Sequence, residues 1–300
     1  MRTASLLLGV VVLVLVLSML CVHFLPSTED FMTHNDMWNG VKRFCDAYGA
    51  ATIDSLDDLP DTTSGVVLVL IPYIELDTEE LAAVGRFVGG GGTLLLMDDY
   101  GYGNQVLSYL GLDVRFSNQP LLDPVFNLKN LRLPRILDFS PEVMEAGIDA
   151  IVLNHATALL DVPESHIIAW SSVSSFLDED ESETWEDEEP SGPFPVAAQF
   201  SIGDGEVVVV ADPSIVINST VGRDDNYAFI RHLTSRNGQQ QSISFVTSHL
   251  PMAPLDVSKT GLDSLRAILA SPAGLLGTTA LVFIVVSRYA LKKGGIVERY

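Results

Sequence analysis

The chain has 300 residues, with 17 Lys and Arg against 39 Asp and Glu, a net charge of −22, and two cysteines. So acidic a chain disfavours nucleic-acid binding, because attraction to phosphate needs a clustered basic face and none is present. The same balance disfavours adhesion of its central region to anionic headgroups, and two cysteines supply no disulfide framework.

Residues 3–25 contain no charged side chain, and neither do residues 267–287. Each run is long enough to cross a hydrocarbon core of roughly 30 Å as a helix. The sequence therefore predicts an N-terminal transmembrane anchor at 1–26 and a C-terminal transmembrane helix at 267–290. A retained anchor is expected over a cleaved signal peptide, because the apolar run is long and Ser18-Met19-Leu20 is no small-x-small site. Between the runs lie 12 basic and 38 acidic residues, net −26. Arg2 precedes the first run, while Arg288, Lys292 and Lys293 follow the second. Lys and Arg near span ends tend to stay inside. Both termini, including a basic tail at 291–300, are thus expected in the cytoplasm, with a two-pass chain in the cell-membrane bilayer and an extracytoplasmic central domain.

The central domain reads as 27–240, followed by a linker at 241–266. A helix is predicted over 35–48, with Val41, Phe44, Cys45 and Tyr48 on one face, which makes Cys45 a packed thiol rather than a nucleophile. A short strand at 51–53 precedes Val66-Val67-Leu68-Val69-Leu70-Ile71, a run apolar on both faces, as in a covered parallel strand. Asp77-Thr78-Glu79-Glu80 starts a helix with Leu81, Val84, Phe87 and Val88 on one side. Four glycines (89–92) then lead into a second buried strand at 93–97, completing a βαβ unit. Because these glycines run from helix to strand, they are turn residues and not a phosphate cradle.

A short helix is expected over 105–110, buried strands at 150–153 and 167–170, and a hairpin around Gly203-Asp204-Gly205. The last helix of the domain spans 224–235. Strand and helix alternate first and a hairpin follows, giving an α/β fold with a mostly parallel, mixed sheet. Residues 178–190 form an acidic loop, with nine acids between 178 and 189. It reads as a solvated loop, with a cation or a basic partner as the alternative; it departs from the Asp-x-Asp-x-Asp-Gly spacing of a calcium loop. Asn218-Ser219-Thr220 is a possible glycosylation sequon.

In parallel α/β sheets ligands bind outside the carboxyl ends of the strands. Three apolar runs here end in Asp98-Asp99, in Asn154-His155 and in Asp212. Asp98, Asp99, Asn154 and Asp212 are the candidate ligand-binding residues, with Tyr100, Gly101 and Asn104 as the rim of the crevice. Carboxylates at such positions hold a hard cation in some proteins and cap the next turn in many others. No Gly-x-Ser-x-Gly elbow and no His-x-x-x-His pair occurs, so neither a hydrolase nucleophile nor a local zinc signature is evident. No catalytic residue, resident metal or cofactor is assigned.

Several segments together resemble a known pattern: Trp38-Asn39-Gly40, the Gly-Gly-Thr-Leu-Leu-Leu-Met-Asp-Asp-Tyr-Gly-Tyr-Gly-Asn stretch ending at Asn104, and Leu122-Asp123-Pro124. Ser174-Ser175-Phe176-Leu177-Asp178, Gly192-Pro193-Phe194-Pro195-Val196 and Asp212-Pro213-Ser214-Ile215-Val216-Ile217-Asn218 continue it. The pattern is similar to the membrane-anchored domain-of-unknown-function family 4350. That resemblance implies a three-layer fold like class I glutamine amidotransferases, with non-catalytic relatives in gliding-motility and intraflagellar-transport proteins. It also implies partners of the MoxR-type ATPase membrane system. The amidotransferase Cys nucleophile and His-x-Glu pair have no counterpart here. The expectation is a binding or assembly domain between two transmembrane helices. Its rivals are a metal-assisted hydrolase using Asp98, Asp99 and Asp212 with His155 as base, and a purely structural envelope component.

Overall fold

In the computed structural model, which describes residues 2–25, 29–60, 62–236, 238–252 and 254–294, the two apolar runs at 66–71 and 93–97 occupy the middle of an eight-stranded sheet. In chain order its strands are β1 (Ala51–Ile53), β2 (Val66–Leu70), β3 (Thr93–Met97), β4 (Asp138–Phe139), β5 (Ile167–Trp170), β6 (Pro195–Ile202), β7 (Gly205–Val210) and β8 (Ser242–Val246). Across the sheet they run β1-β8-β2-β3-β7-β6-β5-β4. The first five are mutually parallel, and the last three pair antiparallel. The mixed α/β fold is as expected.

Alternation of side chains along each strand builds two cores. Val67, Val69, Leu95, Met97, Val208 and Val210 face one layer with Phe44, Phe229 and Ile230. Leu68, Leu70, Leu94, Leu96, Val207 and Val209 face the other, against Leu81, Val84 and Phe87 of the helix Thr78–Gly89. That helix starts with a full capping box: the Asp77 carboxylate accepts from the amides of Glu79 and Glu80, and Glu80 accepts from the amide of Asp77. Gly91 has φ 98°, the conformation that favours glycine, in the turn back into β3.

Three local elements differ from expectation. The helix predicted over 35–48 is limited to Lys42–Tyr48. The Nδ2 of Asn218 takes the carbonyls of Asn35 (2.8 Å) and Met37 (2.6 Å), which a helix would have used, and Asn35 Oδ1 takes the Met37 amide at 2.8 Å. The run at 150–153 lies outside the main sheet, pairing instead through Ile151–Val152 with Arg135–Ile136. Asn226 occupies the other side of Val152, accepting from its amide and donating to its carbonyl, both at 2.9 Å. The segment read as a linker from 241 begins with β8, which inserts between β1 and β2.

The chain separates into two units, Ser27–Pro251, which holds the sheet, and Met1–Pro26 with Met252–Tyr300. The second contains helices Arg2–Phe24, Pro254–Ala270 and Pro272–Gly294. In the first of these, Val10, Leu13 and Leu17 are exposed. Among the described residues no helix is long and apolar enough to cross a membrane. The two flanking transmembrane helices, and with them the two-pass placement with both termini cytoplasmic, are corrected accordingly. The run at 267–287 is divided at Ser271-Pro272 between two helices. From Pro272 to the first base, Arg288, the helix offers about 16 residues, or about 24 Å, short of the roughly 30 Å of a hydrocarbon core. Of the expected basic tail, 295–300 lie outside the described residues.

Candidate functional site

Because β2, β3 and β7 are parallel neighbours, their carboxyl ends open on one edge. Tyr73, Asp98, Asp99 and Asp212 follow those ends, and Asn154 joins them through its amide, which donates to Asp212 Oδ2 at 2.7 Å. The strand before Asp212 is one arm of the hairpin at 203–205, so its direction in the sheet is set by its other neighbour. Its parallel pairing with β3 places Asp212 beside Asp99.

Each carboxylate has a different environment. Asp98 is fully buried, and the chain folds round it: Oδ1 accepts from the amides of Asp99 (2.9 Å) and Gly101 (2.8 Å), and Oδ2 from that of Gly103 (2.6 Å). A Cβ on Gly101 would lie 2.5 Å from the Pro72 carbonyl, so the glycine is required by this turn. Burial pushes the Asp98 carboxyl up to about 6, outweighing the amide bonds, which pull the other way. Asp212 is also fully buried and caps the 3-10 turn Pro213–Val216 by accepting from the Ser214 amide at 2.7 Å. Its carboxyl is held well above the usual range by burial, with the Asp99 charge adding to the effect.

Asp99 is the carboxylate that faces open space. Its recorded hydrogen bonds both fall on Oδ1, from the Tyr73 hydroxyl (2.8 Å) and the Tyr100 amide (2.7 Å). Burial raises it above the ordinary range, opposed first by the Tyr73 bond. It lines a cavity of about 240 Å³ together with Asp30, Trp38, Tyr73, Asn154 and His155. His155 has φ 59° and places Nδ1 2.9 Å from Asn154 Oδ1; burial, then Arg132, lowers its pKa.

The candidates therefore separate. Asp99, Asn154 and His155 reach the cavity, whereas Asp98 and Asp212 support its floor from below. Tyr100 and Gly101 continue the turn that Asp98 holds. Asn104 clasps the Phe116 backbone, donating to its carbonyl (3.0 Å) and accepting from its amide (2.8 Å), and is not a rim donor. Asp98, Asp99 and Asp212 do not gather oxygens around a common point. Among the described residues the group that does is Asp178, Asp180 and Glu189. Asn218 is buried, with its amide nitrogen committed to Asn35 and Met37 and its Oδ1 taken by the Arg43 amide at 2.9 Å. A larger open hollow, about 660 Å³ beside Leu56, Phe87 and Gly90, lies at the amino ends of the strands.

A family model described as "Domain of unknown function (DUF4350)" matches residues 42–234, well over half of the chain. The chain belongs to the DUF4350 family. Among solved structures, this DUF4350 domain is similar to the mmIFT52 N-terminal domain at 15% identity and TM-score 0.44, covering 56% of this chain and 78% of that one. A beta-galactosidase from Bacillus circulans sp. alkalophilus matches at 13% identity and TM-score 0.36, over 58% of this chain but 23% of that one. A putative thua-like protein from Bacteroides uniformis ATCC 8492 matches at 11% identity and TM-score 0.33, over 62% and 75% of the respective chains. At these scores the likenesses carry no functional argument. No curated protein matches.

Sequence reasoning missed Asp30, Trp38 and Tyr73 of this DUF4350 site. The rule that found Asp98 and Asp99 also applies to Tyr73, three residues beyond β2. Asp30 and Trp38 carry no such signal, because they arrive on a segment outside the sheet.

Proposed function

We propose that this DUF4350 domain is a non-catalytic binding and assembly module whose crevice takes a small ligand bearing an ammonium group. The observation that carries the reading is the lining. Two carboxylates, Asp30 and Asp99, and the aromatic rings of Trp38 and Tyr73 surround the cavity, and among its described lining residues there is no lysine or arginine. Carboxylates with aromatic faces form a setting that attracts organic cations. His155, with its pKa lowered, adds no positive charge at neutral pH. The non-catalytic part is supported by Cys45, which sits on the helix Lys42–Tyr48 with its thiol pushed up to about 11 by burial, the wrong setting for a nucleophile. The assembly part follows the family resemblance, which points to a MoxR-type ATPase system as the protein partner.

The test is the thermal midpoint of the full chain with primary and quaternary amines, neutral isosteres and anionic analogues. A ligand at 100 times its dissociation constant stabilises by about 2.7 kcal/mol, which moves the midpoint of a domain this size by roughly 5–10 °C. Amines are expected to give that shift, and Asp99→Asn and Trp38→Ala to lose it. Equal shifts from neutral or anionic analogues, or no shift from any amine, would overturn the reading.

A further inference from the structure

The strongest unabsorbed feature is the acidic loop after the strand Phe176–Leu177. Its carboxylates are not merely numerous. Asp178, Asp180 and Glu189 each bring one oxygen within 4.8 Å of the others. Oxygens that lie this close can ligate a single hard cation, for which carboxylates are the natural ligands. Asp178 is fully buried, and its Oδ1 has no hydrogen-bond partner. Among the described residues none of the three carboxylates pairs with a base; Arg132 is taken by Glu183 at 2.7 Å.

The register of the loop points the same way. A twelve-residue calcium loop of the EF-hand type supplies ligands from positions 1, 3, 5, 7, 9 and 12. Its sixth residue, usually glycine, makes a sharp turn, and its twelfth is a bidentate Glu. Counting from Asp178 as position 1, Asp180 is position 3, Ser182 position 5, Glu186 position 9 and Glu189 position 12. Position 6 is Glu183, whose φ of 59° is the left-handed conformation a glycine would supply. The Glu183 amide donates to Asp178 Oδ2 at 3.2 Å, folding the loop back on its first ligand. At the far end, Glu189 accepts from the Glu179 amide (3.0 Å) through Oε1 and from the Glu186 amide (3.1 Å) through Oε2, which brings the twelfth residue over the first turn.

We propose that residues 178–189 form a calcium-binding loop, with Asp178, Asp180 and Glu189 as carboxylate ligands. Ser182, the carbonyl of Thr184, Glu186 and water are available to complete the oxygen shell. The loop is followed by β6 and preceded by the strand Phe176–Leu177, so it stands without the flanking helices of an EF-hand. Calcium neutralises the crowded carboxylates and gives the buried Asp178 oxygen its partner. None of these three carboxylates lines the crevice, and the proposal does not depend on the ammonium reading.

The experiment uses the full chain stripped with chelator and then titrated with calcium or magnesium by calorimetry, alongside thermal midpoints. Terbium luminescence excited through Trp185, at position 8 of the loop, gives a local readout. One calcium per chain is expected, binding at least tenfold tighter than magnesium and raising the midpoint by several degrees. Calcium should also displace the terbium signal. Asp178→Asn and Glu189→Gln should each weaken calcium binding at least tenfold. Asp178→Asn should stay within a few degrees of the wild-type midpoint in chelator, because the amide oxygen can still accept from the Glu183 amide. Asp99→Asn should keep the full calcium response. No saturable calcium binding in the wild type, a preference for magnesium, or unchanged affinity in both loop variants would overturn the proposal.

Discussion

Asp98 offers a test in which two physical effects of opposite sign compete. Three backbone amides point at its carboxylate, which favours the charged form, yet the group is fully buried, which opposes it. Burial prevails and raises the carboxyl from 3.8 to about 6. A group whose folded pKa is raised contributes stability that is fully present below its unfolded pKa and lost as pH rises through the folded value. The window is therefore about pH 4 to 6, with stability gained on acidification. A shift of about two units is worth about 3 kcal/mol in full, of which about 2 kcal/mol falls between pH 7 and pH 4.5.

Other carboxylates also titrate there, and the charge of the domain adds its own slope. The useful quantity is therefore the difference between wild type and Asp98→Asn. Urea denaturation of both at pH 7 and pH 4.5 should show the wild type gaining about 2 kcal/mol more than the variant on acidification. At constant pH the variant also loses an acceptor for the Gly103 amide, a cost of about 1–3 kcal/mol that does not titrate and cancels in the comparison. Parallel pH profiles would refute the argument. So would the opposite sign, with the wild type losing stability relative to the variant, since that would mean the amides outweigh burial.

Two further predictions concern the latch and the thiol. Asn218→Ala removes two donors and one acceptor that hold the 35–43 segment, leaving buried backbone groups unpaired. It should cost about 2–4 kcal/mol in urea denaturation. For the same reason wild-type Asn218, expressed in a glycosylating host, should show no mobility shift on deglycosylation; a shift would mean the latch is open when the glycan is added. Cys45, pushed up to about 11 from 9.0, should in a Cys21→Ser background react with a thiol reagent at pH 8 about 100-fold more slowly than a free cysteine. The rate should recover in denaturant, and fast labelling of the native protein would show the thiol to be exposed and activated.

The sequence carried the alternation of the sheet well, because burial on both faces leaves a signature in consecutive residues. Val66-Val67-Leu68-Val69-Leu70 and Thr93-Leu94-Leu95-Leu96-Met97 both became central strands. The Asp77–Glu80 helix start was legible for a similar reason, since a capping box is a contact between residues three apart. The C-terminal half of the domain was harder to read. Whether 150–153 entered the main sheet depended on Asn226, more than seventy positions away, which occupies the backbone of Val152. The helix at 35–48 was shortened by Asn218, a long-range contact of the same kind.

The sites divide along the same line. Composition and strand-end position were enough to bring Asp98, Asp99, Asn154 and Asp212 into consideration. The parallel pairing of β7 with β3, and the amides already spent on Asp98 and Asp212, decided that Asp99 is the carboxylate left facing the cavity. In the acidic loop the sequence departs from a calcium motif at Ser182 and Glu183, and a linear pattern stops there. The backbone does not depart: Glu183 adopts the left-handed turn, and Glu189 returns to Asp178 and Asp180. Residue type is local information, whereas the convergence of side chains from positions 1, 3 and 12 of a loop is set by the conformation of everything between them.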